Sequence, residues 1–264
     1  MGEIRPAYVI GDLHGQFEKL CRLLIHAGLV DNSLSWQGKD SRLVFLGDFF
    51  DRGPEGIGCV ELIMRLQDQA RLTGGKVLAL LGNHEIMILS AQRFSQRLTD
   101  GPGGSFLDDW LYNGGQIADL QRLTEAHIAW LSNLPALLVV EEHLLLHSDA
   151  VFYQQYGASA AEVNAVFRAG MHSQQTSFFE QVLKNFGERG AFLDGQLGKA
   201  RCWQMLDQFG GKRIVHGHTP IAKVLGCPGS EVQLPLMYAD GLAVNVDGGL
   251  YMGGKGFVYQ MEYI

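Results

Sequence analysis

The feature that most constrains the fold of this chain is a short apolar run ending in a cluster of polar residues, a pattern that recurs five times. The apolar runs span residues 7–10, 43–46, 77–81, 144–146 and 214–215. Short apolar runs bounded by turn residues predict buried β-strands. Because each polar cluster follows its run directly, we expect the clusters at the carboxyl ends of the strands, where the loops of α/β sheets converge on a crevice.

Helical patterns lie between the predicted strands. Apolar residues with helical spacing follow Gln16 and stop at Gly28, a residue typical of a helix end. Three more apolar faces fall within residues 57–66, 120–131 and 178–186. Strands that alternate with helices predict an α/β architecture.

The end of the chain has a different pattern. Residues 244–247 and 257–261 are strand-like, and pairs of glycines lie between them. This arrangement predicts a β-hairpin. An antiparallel pair beside parallel strands indicates that the sheets are mixed.

Length and composition restrict the class of protein. With 264 residues, 47% of them hydrophobic and 19% charged, the chain can bury a full core, and we expect one domain over residues 1–264. Its apolar runs are far too short to cross a bilayer, and residues 1–6 lack the apolar stretch of a secretory signal. The cysteines are far apart and form no CxxC pair, so we expect neither disulfides nor a thiolate zinc site, and a cytoplasmic protein. They are Cys21, Cys59, Cys202 and Cys227.

The charge balance bears on possible partners. Lys and Arg number 21 against 28 Asp and Glu, a net charge of −7, and no run of basic residues occurs. A nucleic-acid partner is therefore not expected. A protein of this charge that acts on phosphates must supply positive charge by other means, and metal ions are the obvious candidate.

The polar clusters contain side chains typical of metal ligands. Asp12 and His14 follow the first strand one residue apart, so on an extended segment they would point to the same side. Asp48 adds a carboxylate that can bridge two cations. Mixed nitrogen and oxygen ligation of this kind suits manganese, iron or zinc. The other candidate ligands, an amide and two imidazoles, are Asn83, His147 and His218.

Two ions at such a site can bind phosphate oxygens, generate a bridging hydroxide nucleophile and stabilise an in-line transition state. A general acid is then needed for the leaving alkoxide. His84 is adjacent to Asn83 and suits that role, with Asp51 to orient its imidazole. Arg52 offers a planar guanidinium to the phosphate oxygens. The chain therefore has every group that phosphomonoester hydrolysis requires.

Each cluster alone also has a structural interpretation. Asp12 and His14 could lie in a solvated turn, Asn83 and His84 could cap a helix, and His147 could be a hydrogen-bonded core residue. Five clusters with ligand-type side chains, each at the end of an apolar run, favour the functional interpretation. A non-catalytic metal-binding module would be expected to lack a ligand or the acid. For His216 a site role and a packing role both stay open.

The clusters resemble the motif series of the calcineurin-like metallophosphoesterases. The matching motifs are GDLHG, GDFFDRG, GNHE, an isolated His147 and GHTP, in order from Gly11 to Pro220. Within that superfamily they look most like the phosphoprotein-phosphatase branch and its bacterial relatives. The resemblance implies a β-sandwich of two mixed sheets flanked by helices.

The resemblance also implies roles for individual residues. Asp12, His14 and Asp48 would hold the first divalent metal, most simply manganese. His84 would be the general acid, paired with Asp51. Arg52 and Asn83 would bind the phosphate. The second metal would be held by Asp48, Asn83, His147 and His218.

Two points stay open after the resemblance. Bacterial relatives that cleave diadenosine tetraphosphate typically carry Ala where Asp51 stands, which favours phosphomonoesters, including Ser/Thr or Tyr phosphoproteins, over dinucleoside polyphosphates. The family's second phosphate-binding arginine has no clean counterpart. We predict Arg201 for that role, with Arg189 and Lys199 as rivals, and Asp149 as a further negative charge beside the site.

Overall fold

The computed structural model describes residues 5–262 and residue 264; residues 1–4, on which part of the expectation about a leader rests, lie outside the described range. The described residues form two mixed sheets flanked by helices. The first sheet has the strand order β3-β2-β1-β9 and the second β4-β5-β6-β8-β7. The strands are β1 (Ala7–Ile10), β2 (Arg42–Phe45), β3 (Lys76–Ala79), β4 (Leu137–Val140), β5 (His143–Leu146), β6 (Arg213–His216), β7 (Leu236–Tyr238), β8 (Ala243–Asn245) and β9 (Tyr259–Gln260).

Parallel pairing brings the polar clusters to one edge of each sheet. Strands β1, β2 and β3 are parallel and in register, with Ile10 opposite Phe45 and Phe45 opposite Ala79. Strands β5, β6 and β8 are also parallel to one another. Because the carboxyl ends of parallel strands lie at the same edge, all five clusters converge, as predicted from the sequence.

The two sheets pack face to face through small and β-branched side chains. Val9 and Val44 of the first sheet and Leu145, Val215 and Val244 of the second belong to one buried cluster. The opposite faces of the sheets are covered by helices, which enclose a larger apolar core. The predicted sandwich of two mixed sheets is therefore confirmed.

Helices alternate with strands from β1 to the start of α3, whereas α3 to α6 and α7 to α9 follow one another without an intervening strand. Short 3-10 helices occur at Phe152–Tyr156, Gly229–Glu231 and Leu250–Met252. No helix in the described part of the chain combines the length and apolar character that crossing a membrane requires. The α-helices are α1 (Phe17–His26), α2 (Gly56–Leu72), α3 (Asn83–Phe94), α4 (Phe106–Tyr112), α5 (Ile117–Arg122), α6 (Glu125–Ser132), α7 (Ala160–Met171), α8 (Thr176–Asn185), α9 (Gly195–Phe209) and α10 (Ile221–Leu225).

Two predictions about secondary structure were wrong. The tail is not a hairpin: β8 pairs with β6 and β7 in the second sheet, whereas β9 pairs antiparallel with β1 in the first. The apolar face over residues 120–131 belongs to two helices, α5 and α6, because Thr124 ends one segment and caps the next. Its side chain accepts a hydrogen bond from the His127 N–H at 3.2 Å.

Candidate active site

Several residues of the polar clusters have left-handed backbone conformations. Such conformations in non-glycine residues cost about 1–3 kcal/mol each and concentrate at functional sites. They turn the chain sharply after each strand and direct the side chains inward. The residues, with their φ angles, are His14 (46°), Asp48 (54°), Asp51 (72°), Arg52 (66°) and His218 (67°).

Asp12 and His14 converge, but not for the reason predicted from strand alternation. The segment is a turn, and the N–H groups of Leu13 and His14 both donate to the carbonyl oxygen of Asp48, at 3.0 and 2.8 Å. His14 Nε2 lies 3.8 Å from Asp12 Oδ2. The loop after β1 is therefore attached to the loop after β2, which places the ligands of two strands together.

Asp48 lies at the centre of the cluster and faces two groups of side chains. Its Oδ2 lies 3.6 Å from His14 Nε2 and its Oδ1 lies 3.2 Å from His147 Nε2. His147 Nε2 is also 3.0 Å from Asn83 Oδ1 and 3.1 Å from His218 Nδ1. The two carboxylate oxygens of one residue thus face two sets of donors, the arrangement expected of a residue that bridges two cations.

Backbone carbonyl groups orient three of the imidazoles. His14 Nδ1 donates to the Phe50 carbonyl at 3.0 Å, His147 Nδ1 to that of Leu46 at 2.9 Å, and His218 Nε2 to that of Phe186 at 2.8 Å. The second nitrogen of each ring faces the cluster. Metal-binding histidines characteristically have this outer hydrogen bond, which selects the tautomer and the ring orientation.

The donor set fits divalent cations. The ligand-side nitrogens of His147 and His218 face each other at 3.1 Å, and Asp12 Oδ2 is buried without a hydrogen-bond partner. A divalent cation bound between these nitrogens and the carboxylates would take the place of the proton shared by the two rings and would pair with the orphaned oxygen of Asp12. Two groups of side chains have ligand atoms within 4.8 Å of one another: His14, Asp48 and His84, and Asp48, His147 and His218.

Electrostatics within the buried cluster follow from desolvation and mutual charge. Burial, and then the neighbouring imidazoles, lower the pKa of His14 and of His218 well below their usual value, so both are neutral at pH 7. Burial raises the pKa of Asp48, but His147 and His84 outweigh it and hold that pKa well below its usual range. Burial lowers the pKa of His147, and Asp48 and other carboxylates raise it to about 9.

His84 lies in the first turn of α3, next to Asn83, and faces the cluster. Its Nδ1 donates to Asp51 Oδ2 at 2.5 Å, and its Nε2 lies 3.8 Å from Asp48 Oδ2. Trp110 on α4 donates from Nε1 to the other oxygen of Asp51 at 2.8 Å. The imidazole is therefore held by a buried carboxylate, which is itself held by a tryptophan.

Arg52 lies against this cluster. Its guanidinium donates to Nε2 of His14 and, at 3.1 Å, to Nε2 of His84, so a cation already contacts the lone pairs of both imidazoles. The guanidinium carbon lies 4.3 Å above the ring of Tyr251, in a cation–π contact. The Arg52 N–H donates to the Gly114 carbonyl at 2.8 Å, which attaches the arginine loop to the segment after α4.

Glu85 connects two of the loops from within. Its fully buried carboxylate accepts hydrogen bonds from the N–H groups of Asp48, Phe49 and Gly82 at 2.7–2.9 Å. Burial and the charge of Asp48 raise the pKa of Glu85 to about 7, even though these hydrogen bonds oppose that shift. The residue fixes the loop after β2 to the start of α3.

The candidates for a second phosphate-binding cation lie in different places. Arg189 donates to the His218 carbonyl at 2.6 Å, at the edge of the cluster. Arg201 donates to the Ala191 carbonyl at 3.1 Å, and Lys199 pairs with Asp240 at 2.6 Å.

Asp149 and His216 have structural partners. Asp149 accepts from the Gly190 N–H and from Thr219 Oγ1, both at 2.6 Å, so its charge supports the loop that contains Arg189. His216 is buried and hydrogen-bonded to the hydroxyl of Tyr238. The packing role that was left open for His216 is the one the contacts describe.

A cavity of about 640 Å³ is lined by residues of α3, α4, α8 and the loop before α4. Its wall includes Trp110, together with Met87 of α3 and Leu183 of α8. Trp110 also contacts Asp51, so its indole lies between the cavity and that carboxylate. The lining residues include none of the candidate ligands and neither His84 nor Asp51.

Sequence reasoning missed four residues of this site. Glu85 and Asp247 each lie in a polar cluster after an apolar run, so the pattern that identified Asp48 could have identified them. Trp110 has no such signal, because its contact with Asp51 spans 59 positions. Tyr251 had no local signal, because its ring reaches His14 and Arg52 only through the fold.

Comparison with known proteins agrees with this geometry. Over 78 residues the chain is 44% identical to Shewanella-like protein phosphatase 2 of Arabidopsis thaliana, covering 30% of this chain and 20% of that protein. Over 156 residues it is 30% identical to serine/threonine-protein phosphatase 1 of Salmonella typhimurium, covering 55% and 59%. The chain thus spans less than two thirds of the length of either relative.

The fold has a solved counterpart in the crystal structure of a cold-active protein-tyrosine phosphatase from a psychrophilic Shewanella species. The two share 22% sequence identity with a TM-score of 0.73, over 98% of this chain and 76% of the other. The profile of the calcineurin-like phosphoesterase family matches residues 5–242. The chain belongs to the calcineurin-like phosphoesterases.

Proposed function

We propose that this protein is a metal-dependent phosphomonoester hydrolase that acts on phosphoproteins. The observation that carries the proposal is the position of His84, whose Nδ1 is held by Asp51 at 2.5 Å while Nε2 faces the cluster around Asp48. A metal-binding module without activity has no use for an oriented proton donor beside its ligands and an arginine next to it.

We infer a centre of two divalent ions, manganese in the first instance, with iron or zinc as alternatives. Asp12, His14 and Asp48 would hold one ion, and Asp48, Asn83, His147 and His218 the other. When bound, such ions supply Lewis acidity toward phosphate oxygens and a nucleophile at neutral pH.

The protein groups perform the remaining tasks. His84, as the imidazolium, donates a proton to the leaving oxygen from Nε2 and returns to the neutral ring, and Asp51 stabilises the cation and holds its orientation through Nδ1. Arg52 binds phosphate oxygens through its planar guanidinium. Its contact with the ring of Tyr251 limits the orientations that the guanidinium samples.

For the second phosphate contact we propose Arg189 in place of Arg201. Arg189 donates to the His218 carbonyl, whereas Arg201 is bonded to the Ala191 carbonyl. Replacement of Arg189 by Ala should raise KM for a phosphopeptide several-fold, and replacement of Arg201 by Ala should leave KM unchanged. The opposite ranking of the two variants would restore Arg201 to the role.

Two observations support phosphoproteins as substrates. Two of the relatives are named protein phosphatases, and Asp51 is present where diadenosine tetraphosphate hydrolases typically carry Ala. The four cysteines are free, which favours a reducing compartment such as the cytoplasm. We treat residues 1–264 as one catalytic unit.

The test is hydrolysis of p-nitrophenyl phosphate by protein freed of metal with EDTA and then reconstituted with Mn²⁺, Fe²⁺ or Zn²⁺. Turnover should require the metal. Phosphopeptides with phosphoserine, phosphothreonine or phosphotyrosine should be cleaved faster than diadenosine tetraphosphate. A folded protein without turnover for any metal would sink the proposal, and faster cleavage of the dinucleotide would replace the phosphoprotein by a nucleotide substrate.

A further inference from the structure

One buried carboxylate in the crevice has no role in the mechanism described so far. Asp247 follows β8 and is 0% exposed. Its Oδ1 accepts a hydrogen bond from the Gly249 N–H at 2.9 Å, whereas Oδ2 has no hydrogen-bond partner. A buried charged oxygen without a partner destabilises the folded protein by ~1–3 kcal/mol or more, because its hydration is lost and not replaced. Its presence therefore requires an explanation.

The position of Asp247 connects it with the metal ligands. Strand β8 runs parallel to β6, so the end of β8 lies beside the loop that carries His218, and the Ile221 N–H donates to the Asp247 carbonyl at 3.1 Å. On the other side is the loop after β1. A Cβ atom placed on Gly11 would lie 3.1 Å from the Cα of Asp247, so that the backbones touch.

Asp12 and Asp247 share an unusual property. Asp12 Oδ2 is also buried and without a hydrogen-bond partner, and Asp12 directly follows Gly11, whose backbone contacts Asp247. Two such oxygens on adjacent loops repel each other in the free protein. A divalent cation would turn that repulsion into attraction.

We propose that Asp247 is a further carboxylate of the metal centre, whose negative charge raises the affinity for a divalent cation next to Asp12. The inference rests on the proposed metal centre. It adds a carboxylate from the end of β8 to the ligand loops after β1, β2, β3, β5 and β6. In this role Asp247 is a positioning residue for the cation, not a group that touches the substrate.

Asp247→Asn separates charge from structure. Asparagine keeps the shape of the side chain and the Oδ1 acceptor for the Gly249 N–H, so the turn is preserved. It removes the negative charge and the second carboxylate oxygen. Asp119→Asn is the matched control, because Asp119 is another fully buried aspartate that accepts backbone hydrogen bonds, from Gly56 and Ile57 at 3.1 Å.

The experiment measures binding rather than turnover. Full-length wild type and both variants are freed of metal with EDTA, titrated with MnCl₂ by calorimetry, and melted with and without Mn²⁺. Loss of an outer partner of a metal site typically weakens metal binding ~10–100-fold, and we expect that loss for Asp247→Asn. Asp119→Asn should bind Mn²⁺ as wild type does.

Melting temperatures supply a readout that a structural defect cannot imitate. Without metal, Asp247→Asn should melt at or above the wild-type temperature, since the repulsion with Asp12 is removed. With Mn²⁺ its rise in Tm should be smaller than that of wild type. Asp247→Glu, which keeps the charge, should recover part of the affinity, and Asp247→Ser replaces the Asn variant if the latter does not fold.

Two failures can be told apart. Wild type that binds no divalent ion contradicts the proposed metal centre itself. Wild type that binds Mn²⁺ beside an Asp247→Asn variant of equal affinity overturns only the role of Asp247. A variant that melts lower than wild type without metal and gains the same stabilisation from Mn²⁺ also overturns it, because Asp247 would then be purely structural.

Discussion

The candidate active site joins two regions of different construction, and His84 lies where they meet. In the strand-end region, ligands follow β1, β2, β3, β5 and β6, and backbone carbonyl groups orient the imidazoles. In the helical region, over residues 84–132, side chains hold other side chains and loops, as Trp110 holds Asp51. The first region would bind the metals, and the second would orient the group that moves the proton.

Backbone geometry differs between the two regions in the same way. In the strand-end region the chain turns in left-handed conformations at His14, Asp48 and His218. The helices begin with ordinary caps, such as Ser105, whose side chain accepts from the Asp108 N–H. Left-handed residues also occur elsewhere, as at Ser95 after α3, but five lie in the loops where the ligands converge, each at a cost of about 1–3 kcal/mol. Because one region holds the ligands and the other orients His84, changes to the two regions should affect different properties of the enzyme.

The largest effect is expected from Asp48→Asn, in the strand-end region. Because Asp48 faces His14 with one oxygen and His147 with the other, its loss should remove metal from both sides of the centre. Wild type at a Mn²⁺ concentration of 100 Kd should gain ~2.7 kcal/mol of stability, and the variant little of it. Metal analysis and melting curves measure this. Full metal occupancy in the variant would break the assignment of Asp48 as the bridge.

His84→Asn comes next and tests the boundary between the regions. Loss of a general acid should lower kcat for alkyl phosphates by ~10²–10⁴-fold while metal content stays at the wild-type level. The loss should be smaller with p-nitrophenyl phosphate, whose leaving group needs little protonation. If the variant has normal kcat on both substrates, His84 is not the general acid. If the variant loses metal, His84 is a metal ligand instead.

Trp110→Phe tests the helical region by itself. Phenylalanine keeps an aromatic ring but leaves Oδ1 of the buried Asp51 without its donor, at a cost of ~1–3 kcal/mol in stability. We expect kcat to fall about tenfold with unchanged metal affinity, an effect typical of losing a supporting contact.

Trp130→Phe is the matched control for that variant. Trp130 Nε1 also donates a hydrogen bond of 2.8 Å, to Gln67 Oε1, but lies outside the site. This variant should keep full kcat. If both substitutions change kcat equally, the hydrogen bond from Trp110 to Asp51 does not contribute to catalysis.

The same division explains what could be predicted from the sequence. The ligand loops follow apolar runs directly, so residues such as Asp48 and His218 carried a local signal for both position and chemistry. Trp110 and Tyr251 reach the site through contacts between elements remote in sequence, and no local pattern reports these. The predicted hairpin at the end of the chain was wrong for the same reason. Strand β9 pairs with β1, about 250 residues away in sequence, and no local pattern distinguishes that partner from a neighbouring strand.

Left-handed residues show a second limit of prediction. Strand alternation correctly grouped Asp12 with His14, but the φ of +46° at His14 shows that a turn, not an extended segment, brings them together. The break between α5 and α6 had a readable signal in Thr124, since threonine before a helical run is a typical cap. Local sequence signals were thus sufficient to predict which residues come together within one loop.

The smallest expected effect concerns Asp119, which holds the start of α2 from the helical region. Its carboxylate accepts from the N–H groups of Gly56 and Ile57, and burial raises its pKa to about 6. The unfolded chain ionises this group near 3.8, so between these values the unfolded state releases a proton that the folded state retains, and stability falls as pH rises from about 4 to about 6. With solvent screening we expect a fall of ~1–2 kcal/mol in the metal-free protein relative to Asp119→Asn, which cannot titrate. Chemical unfolding of both proteins at the two pH values measures the difference. A wild-type protein that gains stability relative to the variant over this range would show that the backbone hydrogen bonds outweigh burial at Asp119.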